Sequence, residues 1–195
     1  MAAVRKSPRL QYNYAALLLA FATLGPLGCQ SDGSASKSRG DAHHADAMKM
    51  RAPASDGEFA AMMAVHHKGA IEMGRYASQN GTRQNVRSLA RKIADAQSAE
   101  NVKLHAIASE TGHAEHTSDP IMEQHTTKDM AALRAARGGD VDSVFLARMI
   151  DHHTMGVDMA TKAMPNLKRD DLRRMAQAMI DDQSREIAQM RGMVN

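Results

Sequence analysis

Two histidine pairs flanked by methionines have the residue types and spacing best suited to chemistry in this chain. They are His66-His67 within Met63–Met73 and His152-His153 within Met149–Met159, and the two copies are 86 residues apart. Imidazole is a borderline ligand and thioether a soft one, so the combination suits copper better than magnesium or calcium. The pattern predicts a copper site, with Cu(I) favoured and Cu(II) or silver as alternatives.

A second polar pattern, Gln-x-x-Glu, begins 31 residues after the first histidine in both copies. Its members are Gln97, Glu100, Gln183 and Glu186. They occupy apolar-face positions, where an unpaired carboxylate is costly. At about 1.5 Å of helical rise per residue, His66 and Gln97 lie at similar distances from the turn of an antiparallel hairpin, so Gln97 or Glu100 can meet His66. The second copy has the same spacing. We therefore assign Glu100 and Glu186 to orienting metal-binding histidines by accepting a ring N–H.

The first histidine pair lies on a predicted amphipathic helix. Ser55 and Glu58 form a capping box, and apolar residues at helical spacing continue until Asn80-Gly81. His66 falls on the apolar face, whereas His67 is rotated by about 100° and falls on its flank.

The same periodicity predicts four more helices, and His113–His125 is predicted to be the loop between the halves. The helices are Arg83–Ser109, a short one at Thr127–Arg137, one from Asp140 or Asp142 to Met164, and Asn166–Met190.

The two halves of the chain are copies of one another. The matching pairs include Phe59 with Phe145, Met73 with Met159, Asn80 with Asn166, and the residues of both motifs, all 86 residues apart. Aromatic residues make up only 3% of the chain, which leaves little strand-forming material. We predict an all-α four-helix bundle of two repeated hairpins, about 56–110 and 142–193, with a short extra helix in the crossover.

The N-terminal residues 1–28 are typical of an export signal. Arg5, Lys6 and Arg9 precede a short apolar run, Tyr14–Leu24. Leu27-Gly28-Cys29 resembles the end of a bacterial lipobox, in which Cys29 is lipidated, although Pro26 stands where leucine is usual. A cleaved signal peptide and an uncleaved anchor remain alternatives. The expected location is the periplasm or cell envelope, with membrane attachment through Cys29.

Residues 29–54 are rich in small and polar residues and are predicted to form a disordered linker to the domain at 55–195. The formal net charge of +3 equals the contribution of the three basic residues of the signal. Nucleic acid is therefore not an expected partner, and the sequence does not identify a protein partner. Cys29 is the only cysteine, which excludes intrachain disulfides and thiolate zinc sites.

Two other functions compete with metal binding. The chain can instead be a structural or partner-binding helical module without metal, in which each histidine hydrogen-bonds Gln and Glu in a buried polar layer that only specifies packing. A di-iron carboxylate enzyme needs Glu-x-x-His on two helices, but Glu100 is followed by Lys103 and Glu186 by Gln189. We therefore expect a protein that is not an enzyme.

With these residues in view, the chain resembles a bacterial family known as domain of unknown function 305. The family pattern Met-x-x-His-His-x-x-Ala-x-x-Met reads here as Met63–Met73, and its later Gln-x-x-Glu-Ile-x-x-Met reads as Gln183–Met190. The copy at Met149–Met159 departs from the pattern by having Gly156 where the first copy has Ala70.

The resemblance covers about residues 56–193 and implies a ferritin-like helical bundle. Some members of this family are similar to periplasmic copper-binding or copper-resistance proteins that use His and Met. By resemblance, the metal ligands are expected among Met63, His66, His67 and Met73, and among Met149, His152, His153 and Met159.

Overall fold

The computed structural model describes residues 51–114 and 120–194, and within these ranges the chain is helical with no β-strand. The helices are α1 (Asp56–Asn80), α2 (Gln84–Glu110), α3 (Pro120–Ala135), α4 (Asp140–Ala163) and α5 (Asp170–Arg191), with a 3-10 turn at Met164–Asn166. Helix α1 packs on α2, α4 packs on α5, and α1 and α4 contact each other. The all-α prediction is confirmed, and the helices are compatible with a four-helix bundle to which α3 is added.

Helix α1 begins at the predicted capping box. The Ser55 hydroxyl accepts a hydrogen bond from the Glu58 backbone N–H at 3.2 Å. The Glu58 carboxylate accepts one from the Ala54 N–H at 2.6 Å. These bonds satisfy backbone donors at a helix start, where no intrahelical acceptor is available.

Helix α3 starts seven residues before the predicted Thr127 and ends at Ala135, so the loop prediction for His113–His125 is wrong from Pro120 onward. Proline suits a first helical turn because its missing N–H would have no partner there. Met122 and Leu133 are buried, so the helix has an apolar side. The many polar residues of this segment made that side hard to recognise in the sequence.

The start predicted for α5 at Asn166 is also wrong. Residue 166 ends the 3-10 turn, and the helix begins at Asp170.

Two apolar clusters fill the core, one toward each end of the bundle. One includes Phe59, Met63, Met159 and Leu172; the other includes Met73, Phe145, Met149 and Val86. Each cluster joins the N-terminal half of one motif helix to the C-terminal half of the other, so α1 and α4 run antiparallel. The four histidines lie between the clusters on both helices, at mid-height of the bundle.

Each half of the molecule caps the hairpin turn of the other. Asp142, at the start of α4, is buried and accepts hydrogen bonds from the Thr82 N–H at 3.1 Å, the Arg83 N–H at 2.9 Å and the Thr82 hydroxyl at 2.5 Å. Asp56, its equivalent at the start of α1, accepts from the Lys168 N–H at 2.9 Å. The two sets of bonds occupy equivalent positions in the two hairpins, as expected if a pseudo-two-fold axis relates the hairpins.

The lack of a side chain at Gly81 allows the Asp142 carboxylate to come close to the hairpin turn. A Cβ on it would lie 2.5 Å from Asp142 Oδ1. Burial alone would raise the pKa of Asp142, but hydrogen bonds from Thr82 and Arg83 outweigh burial and hold that pKa below its usual value.

The predicted signal at 1–28, the proposed lipidation site Cys29 and residues 29–50 of the predicted linker lie outside the described residues. Pro53, in the described last part of that segment, is buried, and its carbonyl accepts a hydrogen bond from Asn166 Nδ2 at 2.8 Å. No described helix is both long and apolar enough to cross a membrane.

Asp142→Ala is expected to destabilise the fold by on the order of 3 kcal/mol, because it removes a buried carboxylate that accepts several hydrogen bonds from part-buried donors. Asp56→Ala, whose bonds are solvent-exposed, should cost about 1 kcal/mol. Each variant removes one carboxylate from a helix N-terminus, so the difference between the two losses of stability measures the part-buried bonds of Asp142. Urea unfolding at neutral pH measures both, and equal losses would contradict the assignment.

Candidate metal site

Four imidazoles form a row through the centre of the bundle. Their order is His67, His66, His152 and His153, and the ring centroids are 6.1, 3.9 and 6.4 Å apart along the row. All four side chains are buried, with at most 2% of any residue exposed. The structure therefore brings together the histidine pairs of both motifs.

The two central rings pack against glycines of the opposite helix. A Cβ on Gly156 would lie 2.7 Å from His66 Cε1, and a Cβ on Gly69 would lie 2.9 Å from His152 Nε2. His66 Nε2 donates to the His152 carbonyl oxygen at 3.0 Å. A glycine inside a helix costs about 1 kcal/mol relative to alanine, so these two glycines indicate a packing requirement.

In the sequence, Gly156 stands out only as a departure from the family pattern, and Gly69 was not predicted to have a role. The available signal was a glycine on the buried face of an amphipathic helix.

Each of the two glutamates contacts a histidine, but it is the second histidine of each pair, whereas the spacing along the helices had predicted the first. Glu100 accepts from His67 Nε2 at 2.7 Å, and Glu186 accepts from His153 Nε2 at 3.0 Å. The expected contact with His66 is absent among the described bonds of Glu100. The flank position predicted for His67 is also wrong, because this residue is fully buried. Helix α2 approaches α1 on the side of His67, and His66 faces α4 instead.

Gln97 and Gln183 are also buried near this layer. Their side-chain Oε1 atoms have no hydrogen-bond partner. Both residues therefore leave a carbonyl acceptor unsatisfied in the interior, which natural proteins usually avoid.

The Nδ1 atoms of all four histidines are buried without a hydrogen-bond partner. Burial, with repulsion from His67, lowers the pKa of His66 to about 3. Burial also lowers the pKa of His67, and burial together with the neighbouring His66 lowers that of His152. These three rings are therefore neutral at neutral pH. Because Nε2 of His66 and His67 donates, their Nδ1 atoms carry the lone pair that a metal requires.

The predicted methionine ligands are buried, but they lie at different distances from the histidines. Met63 and Met149 are one helical turn from the histidine pairs of their own helices, where side chains are neighbours. Met73 and Met159 are about two turns away and lie in the opposite apolar clusters. Since Met63 and Met73 are separated by about 15 Å along α1, one ion cannot bind both.

The donor set is short of hard ligands. Across the described parts of the chain, no three His, Cys, Asp or Glu side chains are arranged to hold one ion. What the layer offers is imidazole nitrogens with thioethers nearby, a combination selective for soft cations.

Comparison with known proteins places this arrangement in a family. CopM resembles the chain in its Cu(II)-bound form, with 28% identity, a TM-score of 0.63 and coverage of 72% of this chain and 95% of CopM. Its Cu(I)-bound form gives 29% identity, a TM-score of 0.60 and coverage of 71% and 94%. Structures of CopM with silver are similar as well.

A Streptomyces coelicolor protein with a DUF305 domain, thought to be secreted, has 26% identity and a TM-score of 0.62, and the match covers 71% of this chain and 91% of that one. Among curated protein sequences there is no match. The sequence profile of the family described as domain of unknown function (DUF305) matches residues 56–194, which is most of the chain. This chain belongs to the DUF305 family.

Proposed function

We propose that this protein binds copper in the cell envelope, as Cu(I) in preference to Cu(II), for buffering, resistance or delivery. The observation that carries the proposal is the row of four buried imidazoles whose Nδ1 atoms lack partners. CopM, a similar protein, has been obtained with Cu(I), Cu(II) and silver.

The ligands proposed are the histidine pairs with the methionine one turn before each pair. Glu100 and Glu186 hold Nε2 of His67 and His153, which fixes these rings and leaves Nδ1 for a metal. Met63 and Met149 supply a thioether each. Met73 and Met159 remain core residues, because methionine packs well in irregular interiors.

We propose binding without catalysis, at the outer face of a membrane. The histidine layer consists of ligands and their hydrogen-bond partners, and neither half has the Glu-x-x-His of a di-iron site. The export-type N-terminus and the similarity to a protein thought to be secreted support an envelope location. Anchoring through a lipid on Cys29 is part of the same proposal.

A packing module without metal is the second candidate function. It is favoured by the direct bond between His66 and the His152 backbone, and by the lack of three acidic or imidazole ligands around one point in the described residues. The two candidates differ in one measurable property. A metal that binds only the folded state raises its stability, and a packing layer gains nothing from added metal.

Cu(I) titration under anaerobic conditions tests the proposal. The wild type should bind Cu(I) and melt at higher temperature with it. A variant with all four histidines His66, His67, His152 and His153 changed to glutamine should lose both effects while retaining polar side chains in the layer. The matched control is His105→Gln, an exposed histidine on α2, which should behave as wild type. Equal Cu(I) binding by the fourfold variant would refute the site.

The methionine assignment has a control within the chain. Met63→Leu/Met149→Leu should weaken Cu(I) binding by about tenfold, equivalent to 1.4 kcal/mol. Met73→Leu/Met159→Leu should leave it unchanged, since these thioethers are two turns from the histidines. Leucine conserves volume, so neither pair should unfold the protein. Competition with a Cu(I) chelator measures both affinities, and the reverse order would exclude Met63 and Met149 as ligands.

The metal-free protein should lose stability as pH falls from 7 to 5. His66 has a folded-state pKa of about 3, below its ordinary value, so the unfolded chain takes up the proton first. The stability it provides is therefore present above about pH 6.5 and is lost as pH falls toward the folded pKa.

Replacement by His66→Gln, which keeps a donor for the His152 carbonyl, should reduce the slope by up to about 1.4 kcal/mol per pH unit. Urea unfolding at pH 7, 6 and 5 measures the slopes. Identical slopes for variant and wild type would show that His66 takes up its proton equally in the folded and unfolded states, and would contradict the lowered pKa.

A further inference from the structure

A pocket of about 120 Å³ lies between α2 and α5, where the two Gln-x-x-Glu segments meet. Its lining includes four pairs of residues related by the 86-residue repeat, namely Ile93 and Met179, Ala96 and Asp182, Gln97 and Gln183, and Glu100 and Glu186. The pseudo-two-fold axis therefore passes through this pocket. We refer to it as the vestibule.

Two glutamates that line the vestibule are hydrogen-bonded to the outer imidazoles of the row, those of His67 and His153. Glu100 is the acceptor of His67 Nε2 at 2.7 Å, and Glu186 is that of His153 Nε2 at 3.0 Å. A cation in the vestibule is therefore separated from those rings only by the carboxylates that orient them.

The charge of the vestibule favours cations. Glu100 has 27% of its side chain exposed and Glu186 has 11%, so both carboxylates reach solvent. Asp182 is exposed at the rim and forms an ion pair with Arg185, and Lys92 Nζ lies 3.6 Å from Glu186 Oε1. Three carboxylates therefore face one ammonium and one guanidinium, which leaves an excess of negative charge, and a cleft with such an excess concentrates cations.

Two buried oxygens give a second, independent indication. Gln97 is 4% exposed and Gln183 is 3% exposed, and the Oε1 atom of each has no hydrogen-bond partner. Leaving a buried acceptor unsatisfied costs roughly 1–3 kcal/mol. Both side chains line the vestibule, and a Cβ on Gly156 would overlap Gln183 Oε1 and would lie 2.7 Å from His66 Cε1. The Gln183 oxygen therefore lies between the vestibule and the histidine layer, where it is an unsatisfied acceptor for a cation that passes inward.

We propose that the vestibule is an oxygen-lined cation-binding site through which copper reaches and leaves the histidine layer. This inference rests on the copper binding proposed above. Carboxylate and amide oxygens receive the ion with its water and pass it inward to nitrogen and sulfur ligands, which hold a soft cation more firmly. The competing route is a groove of about 560 Å³ beside α1, α2 and α3, which is lined in part by Lys68, Thr126 and Thr127.

Transfer of Cu(I) from its bicinchoninate complex to the metal-free full chain, followed by stopped-flow absorbance, tests the route. Ala96→Phe places a ring at the exposed rim of the vestibule and should slow uptake and release alike by about tenfold, with an unchanged Kd. Thr127→Phe, at an exposed position in the competing groove, should leave both rates as in wild type. Lys92→Ala removes the ammonium beside Glu186 and should accelerate uptake.

Opposite effects at Ala96 and Lys92 cannot both come from general damage to the fold. The vestibule is overturned as the route if Ala96→Phe leaves the rates unchanged, or if Thr127→Phe slows them instead. In those cases wild-type copper binding stands. Absence of Cu(I) transfer to the wild type would overturn the proposed function itself, and with it this inference.

Discussion

The crossing of α1 and α4 at the centre of the bundle is the constraint on which the rest of the structure depends. The ring of His66 lies over Gly156, and that of His152 lies over Gly69, each where a larger residue would put its Cβ. Only glycine allows the helices to approach this closely with an imidazole between them. The crossing buries four polar rings in the interior, and the fold has to compensate for that cost.

Compensation comes from both sides of the layer. Above and below it, the two apolar clusters supply the burial that stabilises a bundle, and methionines there adapt to an irregular interior. The hairpins are fixed to one another by Asp56 and Asp142, each of which binds the turn of the opposite half. The histidines are therefore mounted on mutually restrained helices, as a binding site with defined geometry requires.

Periodicity and the repeat were enough to predict that five helices exist and at what height histidines and glutamates meet, but not where α3 and α5 begin. They could not predict which histidine each glutamate binds. Helical rise fixes height along the axis, but adjacent residues differ by about 100° in direction, and only the packing of α2 against α1 selects His67. The bonds of Asp142 to Thr82 and Arg83 were hidden for a similar reason. An aspartate at a helix start is usually its own helix's cap, and nothing local reveals a partner 60 residues away.

Divergence between the repeats makes the two halves of the layer unequal. Gly69 corresponds to Met155 in the second half, and Gly156 corresponds to Ala70 in the first, so the two central rings are seated on non-equivalent positions. The vestibule shows the same inequality, because the equivalent of Lys92 is Ala178. Glu186 therefore has a neighbouring ammonium at 3.6 Å, and the more exposed Glu100 has no equivalent of it from α5. On the proposed route, an incoming cation would therefore meet less electrostatic competition at Glu100 than at Glu186, although the two glutamates occupy equivalent positions of the repeat.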